Sequence, residues 1–245
     1  MELPALTFSY NIKGFVETSF VDWPGRLCAV LFLPGCNFRC PYCHNPDLAT
    51  GGRSLPAWRF SSILKRLGEL KGWVESVCIT GGEATIHNFL PDLLFELKDK
   101  GFQTKLDTNG SNPKVLEYLF QKSLIDFVAM DVKAPLSEPL YGRCTGVIPP
   151  LAEIKESIEL IMEEGTAYQF RTTIVPRLLG IEDVLNLAGQ LRGAKDYKLQ
   201  NFNPGATLDP AFQNEPPYEY STFRELQRRC LDIISLRDLE AGFRA

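Results

Sequence analysis

The chain has 245 residues, 44% hydrophobic and 23% charged, the balance of ordinary soluble globular material, and it is long enough to bury a core without disulfide staples. Lys and Arg number 26 against 30 Asp and Glu, a net charge of −4 with no long basic run, which disfavours nucleic acid as a partner. No apolar run reaches bilayer-spanning length, Met1-Glu2-Leu3-Pro4 lacks the pattern of a signal peptide, and seven cysteines with three close together fit a metal site in a reducing cytoplasm better than a secreted disulfide framework.

Residues 1–26 read as irregular, with Pro24-Gly25 marking a turn before the first strand. Cys28 to Leu33 is an apolar strand that runs into the loop Gly35-Cys36-Asn37-Phe38-Arg39-Cys40-Pro41-Tyr42-Cys43-His44-Asn45. After a polar stretch, Phe60, Ile63, Leu64, Leu67 and Leu70 recur at helical spacing. Val74 to Thr80 is a strand ending in Gly81-Gly82-Glu83, and Leu90, Leu93, Leu94 and Leu97 mark the next helix. Phe102 to Thr108 is a strand closing on Asp107-Thr108-Asn109-Gly110, and Asn112-Pro113 reads as a cap and first position of a helix. Ile125 to Val132 is a further strand, ending in Asp131-Val132-Lys133. A polar loop through Tyr141-Gly142 leads to a helix bearing Ile154, Ile158 and Ile161. Tyr168 to Val175 and Tyr197 to Phe202 are the last two strands, separated by a helix through Val184 and Ala188. A Pro-rich loop and an amphipathic helix through Leu226, Cys230 and Ile234 end the pattern.

Six strands alternating with helices predict right-handed βαβ units and a parallel sheet. No composition break appears, so the expectation is one α/β domain over 1–245. It comprises an N-terminal segment 1–26 that faces partner or substrate, a barrel core 27–203, and a loop and helix 204–245. Six units instead of eight predict a partial (β/α)6 TIM-type barrel, laterally open and able to admit a large partner. The polar clusters follow the C-terminal ends of the strands, which is the active face of such barrels.

The C-x3-C-x2-C spacing of Cys36, Cys40 and Cys43 points to zinc or an iron–sulfur cluster, because thiolates suit soft metals. Structural zinc normally wants four ligands in two pairs, and no second pair is present. His44 is a possible fourth ligand, strained by its adjacency to Cys43. Three thiolates on a four-iron cluster would leave one iron open for a ligand from outside the protein. Cys28 and Cys78 read as small core residues within strands. Cys144 and Cys230 are too isolated to suggest a second cluster.

The cysteine motif, with Tyr42 before its last cysteine and Gly81-Gly82-Glu83 after the second strand, resembles the radical S-adenosylmethionine (SAM) enzymes. With Asp22-Trp23-Pro24-Gly25-Arg26 before it and His44-Asn45 after it, the chain resembles the glycyl-radical-enzyme activating branch. Within that branch it is most similar to activating proteins of anaerobic ribonucleoside-triphosphate reductase, relatives of pyruvate formate-lyase activating enzyme. The resemblance runs from about Gly14 to about Pro204. It implies a [4Fe–4S] cluster on Cys36, Cys40 and Cys43, whose open iron chelates SAM. One electron, from a reductant such as flavodoxin or ferredoxin, would cleave SAM to methionine and a 5′-deoxyadenosyl radical. That radical would take a hydrogen from a glycine of a partner glycyl radical enzyme. The cofactors then carry the chemistry, with no protein general base or nucleophile.

The same resemblance assigns the other residues. Gly81, Gly82 and Glu83 would meet the methionine amino group, and Tyr42 would lie beside the adenine or simply pack. Asp107, Thr108 and Asp131 would hold a monovalent cation near the SAM carboxylate, though Asp107-Thr108-Asn109-Gly110 is also a good turn and cap sequence. Lys133 would pair with the SAM carboxylate. Arg171, a charge inside a strand, would face the barrel interior and contact SAM. Asn203 stands where the relative has a histidine. Asp22 would engage the partner's glycine loop or cap a local turn. The rival expectations are a radical SAM enzyme acting on a small molecule, like the carboxy-deazaguanine synthases, and a non-catalytic zinc or iron–sulfur protein.

Overall fold

A computed structural model describes residues 10–164 and 166–236; Met1-Glu2-Leu3-Pro4 lies outside them. Seven strands form one sheet in chain order: β1 (Gly14–Ser19), β2 (Cys28–Leu33), β3 (Ser76–Gly81), β4 (Gln103–Thr108), β5 (Phe127–Asp131), β6 (Ala167–Ile174) and β7 (Tyr197–Asn201). Strands β2 to β7 pair in parallel, and β1 pairs antiparallel with β2. The sheet runs from β1 to β7 without closing, so the barrel is open. The helices are α1 (Pro46–Ala49), α2 (Phe60–Glu69), α3 (Leu90–Asp99), α4 (Pro113–Gln121), α5 (Leu140–Thr145), α6 (Leu151–Glu163), α7 (Ile181–Gln190) and α8 (Tyr220–Ser235). No described helix is long and apolar enough to cross a membrane.

The parallel strands read as continuous apolar runs because both faces are covered. Ala29, Leu31 and Leu33 of β2 face the helical layer, packing with Ile63, Leu67, Leu93 and Leu97. Cys28 and Val30 face inward and form a second, small cluster with Trp23 and Cys78. Two elements depart from expectation. β1 lies inside the segment expected to be irregular. It is an edge strand with mostly exposed or half-buried residues, so it carries little of the alternation that reveals a strand. α5 occupies the stretch expected to be a loop; its six residues bury Tyr141, Cys144 and Thr145, too short a run to show helical period.

The C-terminal ends of β2 and β3 are brought together by two glycines. Gly81 has φ +120°, and a Cβ there would lie 2.4 Å from the Leu33 carbonyl oxygen. A Cβ on Gly82 would fall 1.8 Å from the carbonyl oxygen of Gly35. Their lack of side chains lets Gly82 N–H donate to Leu33 O at 2.8 Å and Glu83 N–H to Gly35 O at 2.8 Å. The close approach these glycines permit is therefore to the chain's own segment leading into the cysteine loop.

Gly82→Ala is expected to cost at least about 3 kcal/mol, the scale of a backbone collision that cannot relax. Gly68→Ala, at a helical position with open space around it, should be neutral or slightly stabilising. Urea unfolding of the metal-free chain measures both; equal stability of the two variants would contradict the packing described.

Candidate active site

A cavity of about 230 Å³ opens at the C-terminal ends of the parallel strands. Cys36, Cys40, Tyr42 and Cys43 line one side. Gly81, Gly82, Glu83, Asp107, Thr108, Asp131, Lys133 and Arg171 line the rest, so most of the expected site residues meet in one place.

The cysteine loop is held by its neighbours rather than by regular structure. Gly35 N–H donates to Leu48 O at 2.6 Å and Cys36 N–H to Ala49 O at 3.2 Å, which ties the loop to α1. Arg39 N–H donates to Thr145 O at 2.7 Å at the end of α5. Gly146 makes that approach possible: its φ is +66°, and a Cβ would lie 2.3 Å from Arg39 O. Phe38, Cys40 and Tyr42 are buried, while Cys36 and Cys43 are half-buried. Burial pushes the Cys40 thiol up to about 12 and raises Cys36 as well; a bound metal would have to drive off these protons. His44, weighed as a fourth ligand, is exposed, with its ring facing Phe202 at 5.9 Å. Among the described residues no group of three or more His, Cys, Asp or Glu converges on a single-ion position.

Glu83 is buried and ties the β3 end to the β4 end. Its Oε1 accepts from Thr85 N–H at 3.1 Å, Thr85 Oγ1 at 2.6 Å and Thr108 Oγ1 at 2.8 Å, and Oε2 accepts from Asn109 N–H at 2.7 Å. Burial raises its carboxyl above the usual range, and these donors offset part of that rise. A second bridge joins the same turn to the cysteine loop: Asn109 Nδ2 donates to Asn37 Oδ1 at 2.8 Å, and Asn37 Nδ2 donates to Ser111 Oγ at 2.7 Å. Asn112 stands at the cap position of α4 but makes no side-chain cap; it donates to Thr85 Oγ1 at 2.7 Å instead.

Opposite the cysteines lies a network of half-buried charges, with Lys105 fully buried beneath it. Arg171 Nε reaches Asp131 Oδ1 at 2.8 Å, and its Nη2 lies 3.4 Å from Asp107 Oδ2. Lys133 Nζ lies 3.0 Å from Asp131 Oδ2. Lys105, 1% exposed, pairs with Asp107 Oδ1, whose Oδ2 also accepts from Thr80 Oγ1 at 3.0 Å. Burial alone would raise the Asp131 carboxyl, but Arg171 and Lys133 outweigh it and hold it below the ordinary carboxylate range. Burial would lower Lys133, but Asp131 overrides it and keeps the ammonium charged. Lys105, Lys133 and Arg171 face Asp107 and Asp131, and the Glu83 carboxyl lines the same cavity.

Asn203, Asp22 and the expected cation donors each make contacts of their own. Asn203 lies outside the cavity wall; it is exposed and accepts from Gly205 N–H at 3.3 Å. Gln200, three residues earlier on β7, and Thr173 of the neighbouring β6 line the cavity instead. Asp22 is not part of the wall either. It precedes β2 while the cysteine loop follows it, and it accepts a hydrogen bond from Ser19 Oγ. The cation donors are committed elsewhere: Thr108 Oγ1 donates to Glu83, and Asp107 and Asp131 are paired with ammonium and guanidinium groups. Lys105 escaped the sequence reading although a signal was present. In a strand, positions two apart share a face, so Lys105 points inward with Asp107.

Since Asp131 is held below its ordinary value, its pairing stabilises the fold above the unfolded carboxyl value of roughly 4 and is lost as pH falls below that. Asp131→Asn is expected to cost about 3–5 kcal/mol at pH 7, because it strands Arg171 and Lys133. It should also flatten the loss of stability between about pH 5 and pH 2. Urea midpoints of the metal-free chain across that range measure this; parallel pH profiles for wild type and variant would contradict it.

The sequence profile of the Radical SAM superfamily matches residues 30–191. The glycyl-radical enzyme activating enzyme MJ1227 of Methanocaldococcus jannaschii is 31% identical over 243 residues, covering 95% of this chain and 98% of that protein. The pyruvate formate-lyase-activating enzyme of Clostridium pasteurianum is 30% identical over 206 residues, covering 81% of this chain and 83% of that one. Among solved structures, Streptococcus suis SuiB bound to the precursor peptide SuiA superposes with a TM-score of 0.65 at 19% identity. That match covers 84% of this chain and 45% of the other, and the likeness is one of fold. A superfamily profile that spans most of the barrel and relatives aligned over most of the chain lead to one assignment: this chain is a radical SAM enzyme of the glycyl-radical-enzyme activating family.

Proposed function

We propose that the chain installs a glycyl radical on a partner enzyme, with anaerobic ribonucleoside-triphosphate reductase as the best candidate. The observation that carries this reading is the facing of two walls in one cavity: three thiols on one side, and the ion-paired Lys133, Arg171, Asp107 and Asp131 on the other. Cys36, Cys40 and Cys43 would hold the [4Fe–4S] cluster that the family implies. When bound, cluster and SAM supply a hydrogen-abstracting radical after one electron arrives from a reductant such as flavodoxin or ferredoxin. Everything else asked of the protein is binding, orientation and exclusion of water.

The residues present suit SAM. Its carboxylate would meet Lys133 and Arg171, where charge-assisted hydrogen bonds are strongest. Its amino end would lie beside Gly81, Gly82 and Glu83, which line the same cavity. The Tyr42 hydroxyl is buried with no hydrogen-bond partner, a cost that a polar ligand would relieve. At the other end of β2, Asp22 adjoins Phe20 and Val21, whose side chains are 82% and 87% exposed. We assign this tip to contact with the partner. A reducing, cytoplasmic setting fits the free thiols of all seven cysteines.

The test is electron paramagnetic resonance on the anaerobically reconstituted protein mixed with SAM, a reductant and candidate glycyl radical enzymes. A glycyl doublet on anaerobic ribonucleotide reductase, and none on a formate-lyase-type enzyme, is the expected result. No doublet with any candidate, despite SAM cleavage, would favour a small-molecule substrate. Replacing Cys36, Cys40 or Cys43 singly with Ala should drop reductive SAM cleavage below detection; full cleavage by any one variant would remove that residue from the ligand set.

A further inference from the structure

The carboxylates expected to hold a cation near Asp107, Thr108 and Asp131 are already paired with cationic side chains. Each of the four carboxylate oxygens of Asp107 and Asp131 already meets a cationic side chain: Lys105 and Arg171 for Asp107, Arg171 and Lys133 for Asp131. The Thr108 hydroxyl is turned to Glu83 at 2.8 Å. A further cation would lie among three cationic side chains, Lys105, Arg171 and Lys133, where low local polarity makes like-charge repulsion large.

Lys105 is the residue that changes the site. It lies mid-strand on the inward face of β4, next to Phe127 of β5 in register and opposite Cys78 of β3. Its Nζ is 3.6 Å from Cys78 Sγ and 5.9 Å from the Phe127 ring centroid. With 1% exposure it has no path by which to lead its charge out to water. The thiol and the ring are weak partners, so the Asp107 carboxylate is the one strong partner of its charge.

We propose that the Lys105 ammonium is a built-in counter-cation that takes the place of a soluble monovalent ion at the Asp107–Asp131 carboxylates. SAM binding by this chain therefore needs neither Na+ nor K+. Lys105 acts through Asp107 and Arg171 and is a positioning residue. The inference rests on the reading of the cavity as a SAM site but not on the identity of the partner enzyme.

The experiment measures SAM affinity and the thermal unfolding midpoint of the cluster-loaded protein in KCl, NaCl and N-methyl-D-glucamine chloride at equal ionic strength. Wild type is expected to give the same affinity, within about 2-fold, and the same midpoint in all three salts. Lys105→Met should lose about 10-fold in SAM affinity in N-methyl-D-glucamine, equivalent to about 1.4 kcal/mol, and regain part of it in KCl or NaCl. A saturable, K+- or Na+-specific gain of wild-type affinity or midpoint would overturn the proposal, as would a folded Lys105→Met variant indifferent to the cation. The wild-type comparison decides even where the variant does not fold. Absence of SAM binding in every salt would instead count against the cavity reading.

Discussion

The pairing of Arg171 with Asp131 and Asp107 is the constraint on which the upper barrel depends. Charges on adjacent parallel strands face inward at the same level because β5 and β6 are in register at Asp131 and Arg171. Once buried, none of them can be left alone: removing one partner of such a pair costs about 3–5 kcal/mol, since the remaining charge has no water to turn to. A purely apolar filling would be no less stable and often more so. The polar filling therefore makes sense as binding machinery. It keeps charged groups fixed at the mouth, while the floor beside them is sealed by Cys28 and Val30 of β2, Cys78 of β3 and Trp23.

The opposite wall is fixed by different means. The cysteine loop has little regular structure, and its shape comes from contacts at four points, the first being its backbone hydrogen bonds to α1. Gly81 and Gly82 let β3 approach the entrance of the loop, Gly146 brings α5 against Arg39, and Asn37 is latched to the turn after β4. Glu83 then binds that turn to the β3 end, accepting hydrogen bonds from Thr108 and Asn109 across the gap and two more from Thr85 of its own segment. A residue expected to serve a ligand thus serves first as a strut. Thiols held this way are pre-positioned, which lowers the ordering cost when a cofactor binds.

Much of this was legible in the sequence, for reasons that also explain what was not. Strands buried on both faces announce themselves as apolar runs, and the polar residues at their ends stand out against them, as Asp107, Asp131 and Lys133 do; Arg171 stands out as a charge within a strand. The edge strand β1 and the short helix α5 lack a period to read. Asn112 has cap chemistry, but its side chain answers a tertiary demand from Thr85. Asn203 follows the last strand like the other site residues, yet its loop turns outward and Gln200 takes the wall. Lys105 was hidden because a lysine in a strand is ordinarily a surface charge; only its shared face with Asp107 indicated otherwise.

The central claim is that the charged wall reads a carboxylate facing the thiols. The most direct measurement compares the binding of SAM and of its decarboxylated analogue to the cluster-loaded protein, in wild type and in Lys133→Met. The account predicts a clear preference for SAM in wild type that shrinks by about 10-fold in the variant, or about 1.4 kcal/mol. The same preference in both proteins would contradict it.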